Sequence, residues 1–270
     1  MQSPVAIERD PQIHHSEPPA RSRVDPRQYV CPGTGIRVVL GIVLMIVSVL
    51  LTALITYGIA LIFWAVAGVV YLTKLAKSRA ALRGSALRVG PGQFPDVYAA
   101  AVEMSQRLNL THVPEVYVAQ AGQPNAAAIR MGSRMFVVLY DDVLVGAART
   151  DDPRVLEWIL AHELAHHALG HTGLLRGAIA ANFKGLSRRD EFSCDAVAHA
   201  LVGDAAAARQ AMTLLMVGAH LFDRVDQAAL EEQVRSVVSD KMSLKAERAL
   251  RMTHPLMLRR MARITETIKV

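Results

Sequence analysis

The chain has 270 residues, room for one domain of catalytic size plus an anchor, and its two cysteines exclude a disulfide framework. Hydrophobic residues make up 52% of it and the mean hydropathy is +0.25, above ordinary soluble usage. No groove-reading motif accompanies the formal charge of +6, so the basic balance points to an anionic lipid surface and not to nucleic acid.

Six of the twelve prolines fall within residues 1–35, which predicts a solvated Pro/Arg-rich tail. His14 and His15 read as tail residues, and Cys31, just before the apolar run, is a candidate for acylation. Residues 38–73 carry no charge. As one helix they would extend about 54 Å, nearly twice the hydrocarbon thickness. Two short helices turning near Thr56, Tyr57 and Gly58 fit better than one tilted span, so residues 36–73 are read as a transmembrane hairpin. Arg21, Arg23, Arg27 and Arg37 precede the uncharged run; Lys74, Lys77, Arg79, Arg83 and Arg88 follow it. Basic flanks stay cytoplasmic. Both flanks, and the domain beyond them, are therefore expected in the cytosol.

Residues 80–270 form that domain. "GQFPDVYAAAVEMSQRLNL" reads as an amphipathic helix, "EVYVAQ" and "RMFVVLY" as strands, and "NAAAIRMG" as a possible strand between them. Asp151, Asp152 and Pro153 mark a helix start, and "RVLEWILAHELAHHALG" runs on without a breaker to Gly170. A second helix, "LSRRDEFSCDAVAHALVGD", is predicted from an N-cap at Ser187 to about Val202. The remainder is helical, including the charged segment from Asp226 to Arg251. The expected fold class is α+β, mostly helical with a small β-sheet, behind an N-terminal transmembrane hairpin.

The first of these helices carries the chemistry. His162 and His166 lie four residues apart on one face, a spacing at which two imidazoles can bind one zinc ion. Glu163 sits beside the first histidine, placed to take a proton from zinc-bound water. This is the H-E-x-x-H pattern. A catalytic zinc needs a third protein ligand. His171 projects to the far side of a regular helix, and His167 is turned about 100° from His166. On the second helix Glu191 and Asp195 share a face. The pair fits a ligand with a supporting acid behind it, and by spacing alone it also fits an exposed acidic stripe. Cys194, on another side, reads as a core residue.

"HELAHHALGH", "LSRRDEFSCD" and "THPLMLRRMARI", together with the strand region "PEVYVAQAGQPNAAAIRMGSRMFVVLY", resemble in order the segments of the HtpX and CAAX-prenyl-protease type of membrane zinc endopeptidases, a gluzincin family. The resemblance covers roughly residues 80 to 265. It implies a zincin-like fold, one zinc ion held by His162, His166 and Glu191, and Glu163 as general base. It places Asp195 as the acid behind a ligand histidine, and His254 and Arg260 as late residues completing the site. The chain departs from HtpX between the two helices. "TGLLRGAIAANFKG" is too short for the hydrophobic hairpin found there and carries Arg176 and Lys184.

The expected function is zinc-dependent peptide-bond hydrolysis in a bacterial cytoplasmic membrane, with membrane-associated or misfolded proteins as substrates. The substrate would lie extended along Asn125, Ala126 and Ala127, where small side chains admit another backbone. A non-proteolytic membrane adaptor on the same fold is the alternative, and it has no need of Glu163. Nothing in the sequence fixes an oligomeric state.

Overall fold

The computed structural model describes residues 22–120, 125–250, 252 and 254–267. His14, His15 and Arg21 lie outside them, as do Arg251 and the residues between Gln120 and Asn125. Two apolar helices lead: α1 (Thr34–Ile55) and α2 (Ile59–Ser85). Between them Tyr57 and Gly58 adopt positive φ, the Gly58 amide bonds back to Ala53 at 2.7 Å, and the Thr56 hydroxyl caps the Ala60 amide at 3.0 Å. The chain reverses there, as the expected hairpin requires. Both helices are long and apolar enough to cross a membrane, and almost none of their apolar surface is covered by protein. The second extends past the uncharged run. Its later residues Leu75 and Leu82, with Ala86 just beyond, pack on Tyr117, Met131 and Phe136 of the sheet.

That sheet has four strands in the order β1 (Leu87–Arg88), β2 (Glu115–Ala119), β4 (Arg134–Tyr140), β3 (Ala126–Met131). The parallel pair is β2 with β4, and the crossover between β1 and β2 is α3 (Pro95–Arg107). A two-residue turn containing Gly132, at φ 67°, joins β3 to β4. The segment read as a possible strand is therefore a full edge strand.

The helices follow as α4 (Asp141–Arg149), α5 (Pro153–Ala168), α6 (Leu174–Asn182), α7 (Lys184–Val202), α8 (Ala205–Val217), α9 (Gln227–Ser239), α10 (Lys241–Ala249) and α11 (Met257–Thr267). The mostly helical α+β class holds. Asp152 caps α5 by accepting the Arg154 amide at 3.0 Å, Pro153 takes the first helical position, and Gly170 ends it at φ 73°. α5 is buried on nearly every side, with α3, α4, α7, α8 and β3 around it. Trp158, Ile159, Leu160 and Leu164 are completely enclosed.

Two sequence expectations change. α7 begins at Lys184, not at a Ser187 cap, because Phe183 alone separates it from α6 and Leu186 already needs burial. The last dozen residues of the expected tail are docked on the domain. The Val24 amide bonds to Arg107 at 3.0 Å, the Cys31 amide to the Ser193 hydroxyl at 3.0 Å, and Arg189 holds the Pro32 carbonyl. Pro26 and Cys31 are buried, so proline content there reflects a fitted turn and not a solvated chain. A buried thiol is also poorly placed for acylation.

Trp158 fills the centre of this packing. Trp158→Ala should therefore destabilise the protein by about 3–5 kcal/mol, the range for removing a large enclosed aromatic, as read from denaturant unfolding monitored by circular dichroism.

Candidate metal centre

α5 and α7 pack face to face, and the charged residues of both helices meet along the seam. His162 Nε2 and His166 Nε2 stand 3.3 Å apart. Glu191 reaches both, Oε2 to His162 Nε2 and Oε1 to His166 Nε2, each at 3.5 Å. A tetrahedron with corners about 2.0–2.1 Å from its centre has edges of roughly 3.4 Å. The three donors are spaced as three corners of such a tetrahedron, and together they form a group able to hold a metal ion. Glu191 thus faces the histidines and is not part of an exposed acidic stripe.

The far side of each donor is also held. His162 Nδ1 lies 2.9 Å from Asp195 Oδ1, which orients the ring and leaves Nε2 facing inward. Arg260, from α11, grips Asp195 with two bonds of 2.8 and 2.6 Å and approaches Glu191 at 3.1 Å. His254 Nδ1 sits 3.1 Å from Glu191 Oε1 at the mouth of the site, and its own side chain is largely exposed. The late histidine and arginine are therefore brought to the same seam as the helix residues, across a long stretch of chain.

The other two histidines of the motif also have partners. His167 anchors α5 to the sheet through the Phe136 carbonyl at 3.0 Å and meets Thr172 at 3.0 Å. His171 was expected to point away, but that projection assumes an unbroken helix. α5 ends at Ala168 and Gly170 turns the chain, which brings His171 Nδ1 to 3.3 Å from His166 Nδ1. Behind it stand Asp190 at 3.5 Å, itself paired with Arg176, and the Cys194 thiol at 3.5 Å. Cys194 is a core residue, fully buried. Spacing on a regular helix could not reveal this arrangement. The signal that could have done so is Gly170, a helix terminator placed before the last histidine.

Burial controls the titration of these groups. It pushes His166 down to about 3 and His171 down to about 2, so both rings are neutral at neutral pH with lone pairs free to bond. Burial opposes charge on His162 too, but the bonds from Asp195 and Glu191 outweigh it and lift the ring to about 9. Burial raises Glu163, the direction expected of a carboxyl that must hold a proton part of the time. Glu191 is driven well below the carboxylate range despite its burial, by hydrogen bonds from His162 and His254 and by Arg260.

All of this opens on a cavity of about 510 Å³, walled on one side by Asn125, Ala126, Ala127 and Ala128. The carboxylate of Glu163 accepts a hydrogen bond from the Ala128 amide, and the Asn125 side chain accepts one from the Ala126 amide at 2.9 Å. The Asn125 carbonyl, in contrast, bonds inward to Tyr140 of β4 at 3.1 Å. Because strand residues alternate, Ala126 and Ala128 turn their main-chain groups outward and Ala127 turns its own toward β4.

An H-E-x-x-H helix faced by a glutamate helix, beside the open edge of a small sheet, defines a metallopeptidase. The sequence pattern of peptidase family M48 matches residues 91–181 and 172–268, together about two thirds of the chain. The chain belongs to peptidase family M48 and is a hydrolase of the metal-dependent peptidase class. Neither the curated proteins nor the solved structures contain a match.

Arg260 neutralises two buried carboxylates at once. Arg260→Met should cost about 3–5 kcal/mol in urea unfolding, the range for stranding a buried charge. Arg260→Lys should recover only part of it, because an ammonium lacks the two-pronged fork that fits Asp195.

Proposed function

We propose that the chain is a membrane-anchored zinc endopeptidase in which His162, His166 and Glu191 hold the metal. The observation that carries this reading is the set of three donor separations, 3.3, 3.5 and 3.5 Å, which match the edges of a tetrahedral zinc site. Zinc bound there would supply an acidified water and polarise the scissile carbonyl. Glu163, next to the first ligand and facing the cavity, takes the proton of the attacking water and delivers it to the leaving amine. Asp195 fixes the His162 ring, and Arg260 fixes Asp195 while balancing the charge of Glu191. His254, at the mouth and in contact with Glu191, is placed to meet the carbonyl oxygen as negative charge develops.

The substrate binds as an added strand along the edge of β3, using the outward main-chain groups of Ala126 and Ala128. Ala127 contributes its small side chain to the wall and its amide to the sheet. α1 and α2 are long and apolar enough to cross a membrane, and their basic flanks favour the cytosolic side of the cytoplasmic membrane for this cleft, which makes segments of membrane-associated or misfolded proteins the proposed substrates.

Glu163→Gln should keep its metal and lose about 10²–10⁴-fold in peptide hydrolysis, the usual contribution of a general base. His162→Ala, His166→Ala and Glu191→Ala should instead lose metal, as read by elemental analysis of the purified protein. Equal hydrolysis by wild type and Glu163→Gln would leave only the adaptor role. Two proline variants separate the faces of β3. Ala126→Pro removes an outward donor and should raise KM at full metal occupancy. Ala127→Pro breaks the pairing with β4 and should lower the thermal unfolding temperature.

A further inference from the structure

One exposed helix of the domain, α6, carries an apolar outer face beside α1. α6 presents Leu174 at 64% exposure and Leu175 at 49%, with Ala178 and Ala181 also exposed and Phe183 exposed just after it. No acidic residue occurs from Leu164 to Arg189, and Lys184 follows directly on α6; beyond it Arg188 is turned inward onto Glu247 and Arg189 onto the Pro32 carbonyl. The only cation within α6, Arg176, is turned inward onto Asp190. An apolar exposed face with a lysine at its end and no acid within it matches the boundary between headgroups and acyl chains.

The position of α6 points the same way. Its one buried residue, Ile179, sits directly against Gly41 of α1, where a Cβ would fall on the isoleucine side chain. The uncharged part of α1, Val38 to Ile55, spans roughly 27 Å at the helical rise, slightly less than a hydrocarbon core of about 30 Å. The whole run is needed to cross, so Gly41 lies below the headgroups by about a turn of helix, and so does whatever packs on it. Arg37, one turn earlier, marks the headgroup level.

We infer that α6 and Phe183 are a membrane-contacting surface: they lie in the cytosolic leaflet beside α1 and insert Leu174, Leu175 and Phe183 among the acyl chains. The inference rests on the reading of α1 and α2 as a membrane anchor. Its consequence for the site is geometric. α6 joins the ends of α5 and α7, and Arg176 ties it to Asp190, the neighbour of Glu191. The lipid surface would thus hold the loop between the two ligand-bearing helices, and the cleft would open close to the bilayer.

The test uses the full chain in vesicles of phosphatidylcholine with a minority of phosphatidylglycerol. A polarity-sensitive fluorophore is attached to Leu174→Cys, to Leu175→Cys or, for comparison, to Ala148→Cys, exposed on α4 shortly before the start of α5; both native cysteines are buried. Expected is loss of most fluorescence at positions 174 and 175 to lipids carrying a quencher high on the acyl chain, with little loss to aqueous iodide. Position 148 should show the reverse. Quenching of all three by iodide alone, with the protein still resisting alkaline extraction from the vesicles, overturns the inference and leaves the anchor intact. Release by alkali shows instead that the anchor reading has failed. Shielding of position 174 from both quenchers, together with a cross-linked dimer, means that a second copy covers this face, and that also overturns it.

Discussion

Arg260 is the charge on which the site depends. Three ionisable donors and two further acids crowd a largely buried seam, and an unpaired carboxylate there would be costly or protonated. One planar guanidinium answers Asp195 through two parallel bonds and Glu191 through a third contact. Asp195 can then turn an oxygen to His162, and Glu191 can turn both of its oxygens to the histidines. Remove the guanidinium and each later contact loses its reason. α11, which brings Arg260 to the seam, packs against α7, α8 and α9 through buried Leu258, Met261 and Ile264.

The same logic separates what the sequence disclosed from what it did not. The H-E-x-x-H helix was legible because its spacing is a property of one regular element. The hairpin was legible because a bilayer imposes a length that the uncharged run could be measured against. His171 was not, since its position depends on how the chain turns after Gly170, and a projection along α5 stops having meaning at Ala168. The docked segment from Ser22 to Gly33 was hidden for a different reason. Proline and arginine content describes a solvated chain well, but here Pro26 is buried and the main chain is bonded to Arg107 and Ser193, contacts that no local pattern announces. Ala127 illustrates a third limit. A run of three alanines carries no mark of which amides face outward, and only the register with β4 decides it.

The apolar helix pair and the candidate metal site meet on α7. Its inward face carries Glu191 and Asp195, while Arg189 and Ser193 hold Pro32 and Cys31 just before α1 begins. The helix that supplies the carboxylates is therefore clamped to the start of α1, the point where the chain would enter the bilayer on the proposed reading. A soluble domain tethered by a loose linker would leave these two features independent. Here the linker is part of the packing, and through it α1 and the helix that carries Glu191 are held together.

The edge of β3 raises a problem that the site itself resolves. An exposed strand edge with free main-chain groups invites pairing with any other extended chain, yet on the proposed reading this edge must remain available to substrate. Two of its outward donors are already engaged, the Ala126 amide by Asn125 and the Ala128 amide by Glu163. Both partners are side chains, which can be displaced without breaking the sheet. A peptide arriving along β3 would exchange with them, and in doing so would free the carboxylate of Glu163 at the moment when it is needed as a base. Protection of the edge and restraint of the base would then be one hydrogen bond, released by the same event.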